Sequence, residues 1–138
     1  METCKFRGAK VYLHNYYKTE LKYSASRPKI DIEEFRKGPI PGVYYIPNWI
    51  TQGEEAAILE RVYAVPDDND IWVNLKHRRL QMWGGEVKVP FDPKPLPQWL
   101  MQISQALVDA GIFSEEKKPN HALINGERKE LILVADWG

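Results

Sequence analysis

The chain has 138 residues, of which 43% are hydrophobic and 28% are charged, and its 19 basic residues balance 19 acidic ones. A chain of this length usually forms one domain and buries roughly 68% of its unfolded surface, which is enough for a core. The zero net charge gives no general attraction to nucleic acid or to a membrane surface, although a local patch can still bind either.

The cysteine count and the distribution of apolar residues indicate in which cellular compartment the protein is expected. Cys4 is the single cysteine, which excludes an internal disulfide and a cysteine-rich zinc site. No run approaches 18 apolar residues, so we expect no membrane span. The first ten residues, METCKFRGAK, lack the apolar stretch of a secretory signal. These features predict an intracellular protein of the cytoplasm, the nucleus or both, and they leave the oligomeric state open.

Residues 1–31 are interpreted as an N-terminal extension. Its segment KVYLHNYYKTELKY has weak periodicity, so a strand, a frayed helix and a flexible leader all remain open. His14 has no second metal ligand near it in the sequence and is interpreted as a surface residue. Residues 43–46, between Gly42 and Pro47, combine high β propensity with turn residues on both sides, which predicts a short strand.

Two helices are predicted from their end signals. Thr51 and Glu54 have the spacing of a capping box, which predicts a helix that runs to about Ala64 and is stopped by Pro66. The second helix is predicted from about Pro97 to Ala110. Proline suits its first turn, and glycine suits the position after its end; these are Pro97 and Gly111.

The segment IWVNLKHRRLQMWGG and the segments that follow it are predicted to form strands. The imperfect alternation predicts a strand pair with a break near His77, followed by a turn at residues 84–85. HALIN and ELILVADW predict two further strands. The acidic residues before the first strand lack the glycine and distal glutamate of a calcium loop and are interpreted as a turn: Asp67, Asp68 and Asp70.

The segment KHRRLQMWGG combines four basic or imidazole side chains, Lys76, His77, Arg78 and Arg79, with Trp83. Cations can contact phosphate, and an aromatic ring can stack on a base, so this segment is a candidate substrate-binding site. The alternative is a solvated basic face beside a core tryptophan. The other tryptophans considered are interpreted as core or half-buried packing: Trp49, Trp72 and Trp99.

Four segments in fixed order carry a family resemblance: FRKGPIPGVYYIPNWIT, RRLQMWGG, LPQWL and NHALIN. Together they resemble the AlkB-like Fe(II)/2-oxoglutarate-dependent dioxygenases, most closely the branch called AlkB homologue six. The resemblance covers residues 32–125. It implies an α+β fold, the N-terminal and incomplete part of a double-stranded β-helix (jelly roll) with two flanking α-helices. It also implies oxidative dealkylation, often of nucleic acids.

The resemblance implies an iron site that the chain does not supply. Family members hold Fe(II) with a His-x-Asp pair soon after the strand matched by HALIN and with a distal histidine, and an arginine pairs with 2-oxoglutarate. The 138 residues contain no His-x-Asp or His-x-Glu. Asn125 matches the family asparagine that contacts 2-oxoglutarate, but Glu127 stands where a tyrosine is expected, and its charge would repel the dianion. A site made of His121 and Asp136 is the weak remaining option.

We therefore predict a truncated form that binds no iron and is inactive alone, although its family uses Fe(II) and 2-oxoglutarate. Residues 32–125 form the AlkB-like part. Residues 126–138 form a divergent tail, explained by a splice product, by intron read-through, or by a frameshifted or mispredicted gene model. Two alternatives remain open, a non-catalytic nucleic-acid-binding module and a regulatory fragment. A loose fragment without function is a third.

Overall fold

The computed structural model describes residues 27–66, 71–86, 89–90, 92–126 and 131–136. This part of the chain forms an α+β structure with a four-stranded and a two-stranded antiparallel sheet. The helices are α1 (Gln52–Tyr63) and α2 (Gln98–Asp109), with short 3-10 helices at Ile32–Phe35 and Glu115–Lys117. The strands are β1 (Trp72–Asn74), β2 (Arg79–Trp83), β3 (Gly85–Glu86), β4 (Asp92–Pro93), β5 (His121–Gly126) and β6 (Leu131–Asp136).

Helix α1 begins at the predicted capping box. The Thr51 side chain accepts a 3.1 Å hydrogen bond from the Glu54 amide, and the Glu54 carboxylate accepts a 3.0 Å bond from the Thr51 amide. These two bonds satisfy amides that a helix start otherwise leaves unpaired. The helix ends at Tyr63 with Ala64 as its C-cap, so both predicted ends are confirmed.

Helix α2 begins one residue later than predicted, because Pro97 has the extended backbone of an N-cap. Its end matches the prediction. Gly111 adopts a left-handed φ of 82° and donates to the Val108 carbonyl, while the Ile112 amide donates to the Leu107 carbonyl. This pair of bonds is the Schellman motif, which favours glycine at that position.

The larger sheet has the order β1-β2-β5-β6, and all of its pairs are antiparallel. The predicted break near His77 is confirmed as the turn between β1 and β2, which the Leu75 amide closes by donating to the Arg78 carbonyl at 2.8 Å. The predicted strands HALIN and ELILVADW are confirmed as β5 and β6. The interpretations of His14 and of the acidic turn at residues 67–70 lie outside the described residues.

One predicted strand is wrong. Residues 43–46 form no strand and contribute only an isolated bridge between Tyr44 and Arg36. Gly42 adopts a φ of 77°, which turns the chain before residue 43, and Pro47 ends the extended stretch. The short strand pair β3 and β4, in the proline-rich segment before α2, was not predicted from the sequence pattern.

The core lies between the larger sheet and the two helices. Trp72, Gln81 and Ile124 are cross-strand partners in β1, β2 and β5, so they share the face of the sheet that meets the helices. Trp99 and Trp72 are buried and Trp49 is half-buried, so their predicted packing roles are confirmed. The α+β class and the two helices are confirmed, and the jelly roll stays a prediction. In the described ranges, no helix has the length and apolarity needed to cross a membrane.

Candidate functional site

The turn between β1 and β2 presents three neighbouring side chains to solvent. Lys76, His77 and Arg78 are all exposed, and we call them the basic tip. The hydrogen bond between the Leu75 amide and the Arg78 carbonyl closes the turn beneath them. Because these side chains already lie in water, they can contact a phosphate group without first leaving the core.

Arg79 occupies the root of the same hairpin. Its guanidinium carbon lies 4.1 Å from the centroid of the Trp72 ring, and the residue is half-buried. A guanidinium at this distance is attracted to the face of an indole ring. The geometry therefore separates the four candidate residues into three at an exposed tip and one arginine that is packed on the sheet.

Trp83 belongs to the core. The residue is 2% exposed, and its indole Nε1 donates a 2.8 Å hydrogen bond to the side-chain oxygen of Gln81. Gln81 is fully buried and donates its own amide to the Val62 carbonyl in α1 at 3.1 Å. Of the two sequence interpretations of Trp83, core packing is the one observed, and the buried ring has no face free for a base.

The start of β5 crosses close to the glycine pair after β2. Gly84 has a φ of 95°, and a Cβ atom on it would lie 2.4 Å from the Asn120 carbonyl oxygen. His121 is 8% exposed, and its Nε2 lies 3.1 Å from the Gly85 carbonyl oxygen, so the Nε2–H tautomer donates to that oxygen. His121 thus fastens β5 to the glycine pair.

Asn125 lies near the other end of β5, opposite Leu80 of β2 and Ile132 of β6. Its side-chain Oδ1 is buried and has no hydrogen-bond partner among the described residues. A buried unpaired acceptor is costly and calls for a donor. The Nδ2 amide of Asn125 is the atom that could donate to a carboxylate of 2-oxoglutarate, whereas Oδ1 would accept from a different donor.

The sheet register places His121 opposite Asp136. The Nε2 of His121 is nevertheless held by the Gly85 carbonyl, and among the described residues no group of three or more metal-binding side chains is placed to hold an ion. An iron site needs two imidazoles and a carboxylate on one face. The described residues do not fit an iron site with bound 2-oxoglutarate, because they place no two imidazoles and carboxylate together.

A cluster that sequence reasoning missed surrounds the start of α1. Arg27 forms an ion pair with Glu54, donates from Nε to the Trp49 carbonyl at 2.8 Å and lies 4.4 Å from the centroid of the Trp49 ring. Burial raises the pKa of the Glu54 carboxyl, but hydrogen bonds from Thr51 and Arg27 outweigh it, so the pKa lies below its ordinary value. Since Arg27 is distant in sequence from both partners, no local pattern could have revealed the cluster.

No family model matches the chain. The chain is similar to a zebrafish (Danio rerio) protein described as "Probable RNA/DNA demethylase ALKBH6", with 38% identity over 103 residues. The match covers 70% of this chain and 41% of the relative, so the chain spans about two fifths of the length of that curated protein.

Proposed function

Because this chain belongs to the AlkB-like family, we propose that it is a homologue of nucleic-acid dealkylases that does not itself oxidise a substrate. Residues 32–125 would supply the N-terminal part of a jelly roll with its two flanking helices, and residues 126–138 would be a divergent tail. The family's Fe(II) and 2-oxoglutarate would then belong to its relatives, and we propose an intracellular location.

The observation that carries this proposal is the chemistry around β5. The chain has no His-x-Asp or His-x-Glu, and the only histidine on β5, His121, uses its Nε2 on the Gly85 carbonyl. Asn125 is the only residue that the resemblance matches to the cosubstrate pocket, and Glu127 stands where a tyrosine is expected. These groups supply fewer than the three ligands that an iron centre of this family needs, which supports the proposal.

The test is to load the purified 138-residue chain with Fe(II) and 2-oxoglutarate without oxygen, and then to add air. We expect no stoichiometric iron by elemental analysis and no succinate above a protein-free blank. The zebrafish relative, assayed in parallel, controls for the quality of the reagents. Stoichiometric iron together with succinate formation by this chain would refute the proposal.

A second candidate function rests on the basic tip. Lys76, His77 and Arg78 project from one turn, and cations that contact phosphate make binding dependent on salt but not on base sequence. With Trp83 buried, stacking on a base is not part of this function. We propose that the tip binds the sugar–phosphate backbone of nucleic acid.

The test compares two double variants of equal charge. Lys76→Ala with Arg78→Ala removes two cations of the tip, whereas Lys29→Ala with Lys37→Ala removes two exposed cations elsewhere. Titrations of a labelled single strand at several salt concentrations should show weaker binding for the first variant. The magnitude of the slope of log K against log salt should fall by about 0.7 for each cation lost, the value for single strands. Equal loss in both variants would indicate general charge attraction and contradict a site at the tip.

A further inference from the structure

An open apolar cavity lies between the two helices, β5 and the segment before α1. Its volume is about 650 Å³, and we call it the helix–sheet cavity. Its apolar walls include Ile46, Ile50, Ile58, Leu59, Leu107 and Ile124. Contiguous apolar surface that is open to solvent often marks a binding site, so this cavity is a candidate site for an occupant.

Two features of the cavity point to an occupant with both apolar and polar atoms. Ile50, at its wall, is 40% exposed, so apolar surface faces water at this point. The indole Nε1 of Trp49, another wall residue, is buried and has no hydrogen-bond partner among the described residues. A hydroxyl or carbonyl oxygen on the occupant would satisfy this donor.

The described chain begins beside this cavity. Arg27 is held by its ion pair with Glu54 and by its contacts with the Trp49 ring and carbonyl. Glu54 is a buried residue of the first turn of α1, so the position of Arg27 is fixed relative to the cavity wall. The 26 residues that precede Arg27 therefore emerge next to a wall residue of the cavity.

The sequence of those residues matches what the cavity requires. In a helical conformation, one of those that the sequence leaves open, Leu13, Tyr17 and Leu21 share one face, as do the anchors of helices that bind in apolar grooves. Residues 1–26 carry five basic and two acidic residues, whereas the cavity has the exposed carboxylate of Glu55 in its wall. The charges are thus complementary, and tyrosine hydroxyls offer acceptors for Trp49 Nε1.

We propose that residues 10–23 bind in the helix–sheet cavity of the same chain, with Leu13, Tyr17 and Leu21 against its apolar walls. Only residues 24–26 separate this segment from Arg27, a span of roughly 10 Å when extended, so the segment stays next to the cavity. A linker this short gives an effective concentration on the order of millimolar, which favours binding within one chain over binding between chains.

The first test uses the full-length chain with Tyr17 replaced by the photo-crosslinker p-benzoylphenylalanine. Irradiation followed by mass spectrometry should find crosslinks within one chain to residues 46–50, α1 or α2. Their yield should not change over a tenfold range of protein concentration. Crosslinks only between chains, or only to residues outside the cavity, would overturn the proposal.

The second test measures hydrogen exchange of residues 10–23 in the full-length chain. We expect exchange slower than in the free peptide by on the order of tenfold or more. Leu107→Glu, in the cavity wall, should remove this protection, whereas Met101→Glu, at an exposed position of the same helix, should preserve it. If Leu107→Glu unfolds α2, the variant Leu13→Glu with Leu21→Glu decides. It should abolish protection of the segment and leave exchange in α1 and α2 unchanged, and unaltered protection would refute the proposal.

Discussion

The indole Nε1 of Trp83 donates a hydrogen bond to the side chain of Gln81, two residues earlier on the same strand, and both residues are buried. The side-chain amide of Gln81 in turn donates a hydrogen bond to the Val62 carbonyl of α1. One glutamine thus satisfies a donor of the sheet and an acceptor of the helix. A buried polar residue with every partner in place fixes how the helix and sheet pack.

Gln81→Met should therefore destabilise the protein although it makes the core more apolar. The substitution leaves the Trp83 donor and the Val62 carbonyl without their side-chain partner, and the expected loss is about 2 kcal/mol in the free energy of unfolding. Urea titration measures it. Gln52→Met, at an exposed position of the first turn of α1, is the matched control and should change stability by less than about 0.5 kcal/mol. Equal effects at both positions would contradict the role assigned to Gln81.

Gly84→Ala should be far more destabilising than Gly38→Ala. Both glycines have positive φ angles, of 95° and 70°, so both substitutions add backbone strain of about 1–2 kcal/mol. A Cβ atom at Gly84 would also lie 2.4 Å from the Asn120 carbonyl oxygen, whereas nothing lies within 4 Å of one at Gly38. Thermal unfolding of the two variants isolates the steric contribution. Similar melting temperatures would show that the approach of β5 to Gly84 is not tight.

Arg27→Met should lower the free energy of unfolding much more than Arg36→Met. Each arginine nevertheless pairs with a glutamate and lies near an aromatic ring. In the pair of Arg27 with Glu54, the glutamate is buried and the arginine is largely shielded, so removing the arginine leaves an unpaired buried carboxylate at a cost of about 3 kcal/mol. The pair of Arg36 with Glu33 is exposed, so its loss should cost less than about 1 kcal/mol. Denaturant unfolding at neutral pH compares them, and a small effect of Arg27→Met would place its guanidinium in water.

The pH dependence of stability should involve Glu54. Because the pKa of this carboxyl is lowered in the folded state, its contribution is complete above the unfolded value of 4.5 and is lost as the pH falls through the folded value. The free energy of unfolding should thus decrease below about pH 4.5. Glu54→Gln should make this decrease smaller, whereas Glu60→Gln, at an exposed position of α1, should retain it. If the free energy of unfolding of wild type and of Glu54→Gln had the same pH dependence, Glu54 would not contribute to it.

Local patterns predicted the ends of the helices well. The capping box at Thr51 and the left-handed Gly111 depend on neighbouring residues alone, and both are observed where predicted. The strand predicted at residues 43–46 failed because β propensity describes a pleated, half-buried surface, and only an isolated bridge at Tyr44 is available there.

The candidate site depended more on contacts that are distant in sequence. The exposed tip followed from the break in alternation near His77, but the sequence did not separate Arg79 from its neighbours, since the Trp72 ring that it contacts belongs to the partner strand. Gln81 interrupts an otherwise apolar pattern, and its burial depends on Val62 in a helix 19 residues away. Whether a polar side chain such as Gln81 is buried therefore depends on partners that are distant in sequence, and a local pattern does not show them.

The end of α1 is held by the sheet at two points, because Trp72 donates to the Val65 carbonyl just beyond the helix and Gln81 donates to the Val62 carbonyl within it. Trp72 and Gln81 are themselves cross-strand partners in the β1–β2 hairpin. A short helix normally frays from its ends, where backbone groups lack partners. Because of these two bonds, the last turn of α1 and the β1–β2 hairpin should open together as one cooperative unit. A ligand that binds the basic tip and stabilises the hairpin would therefore also slow the opening of the helix end.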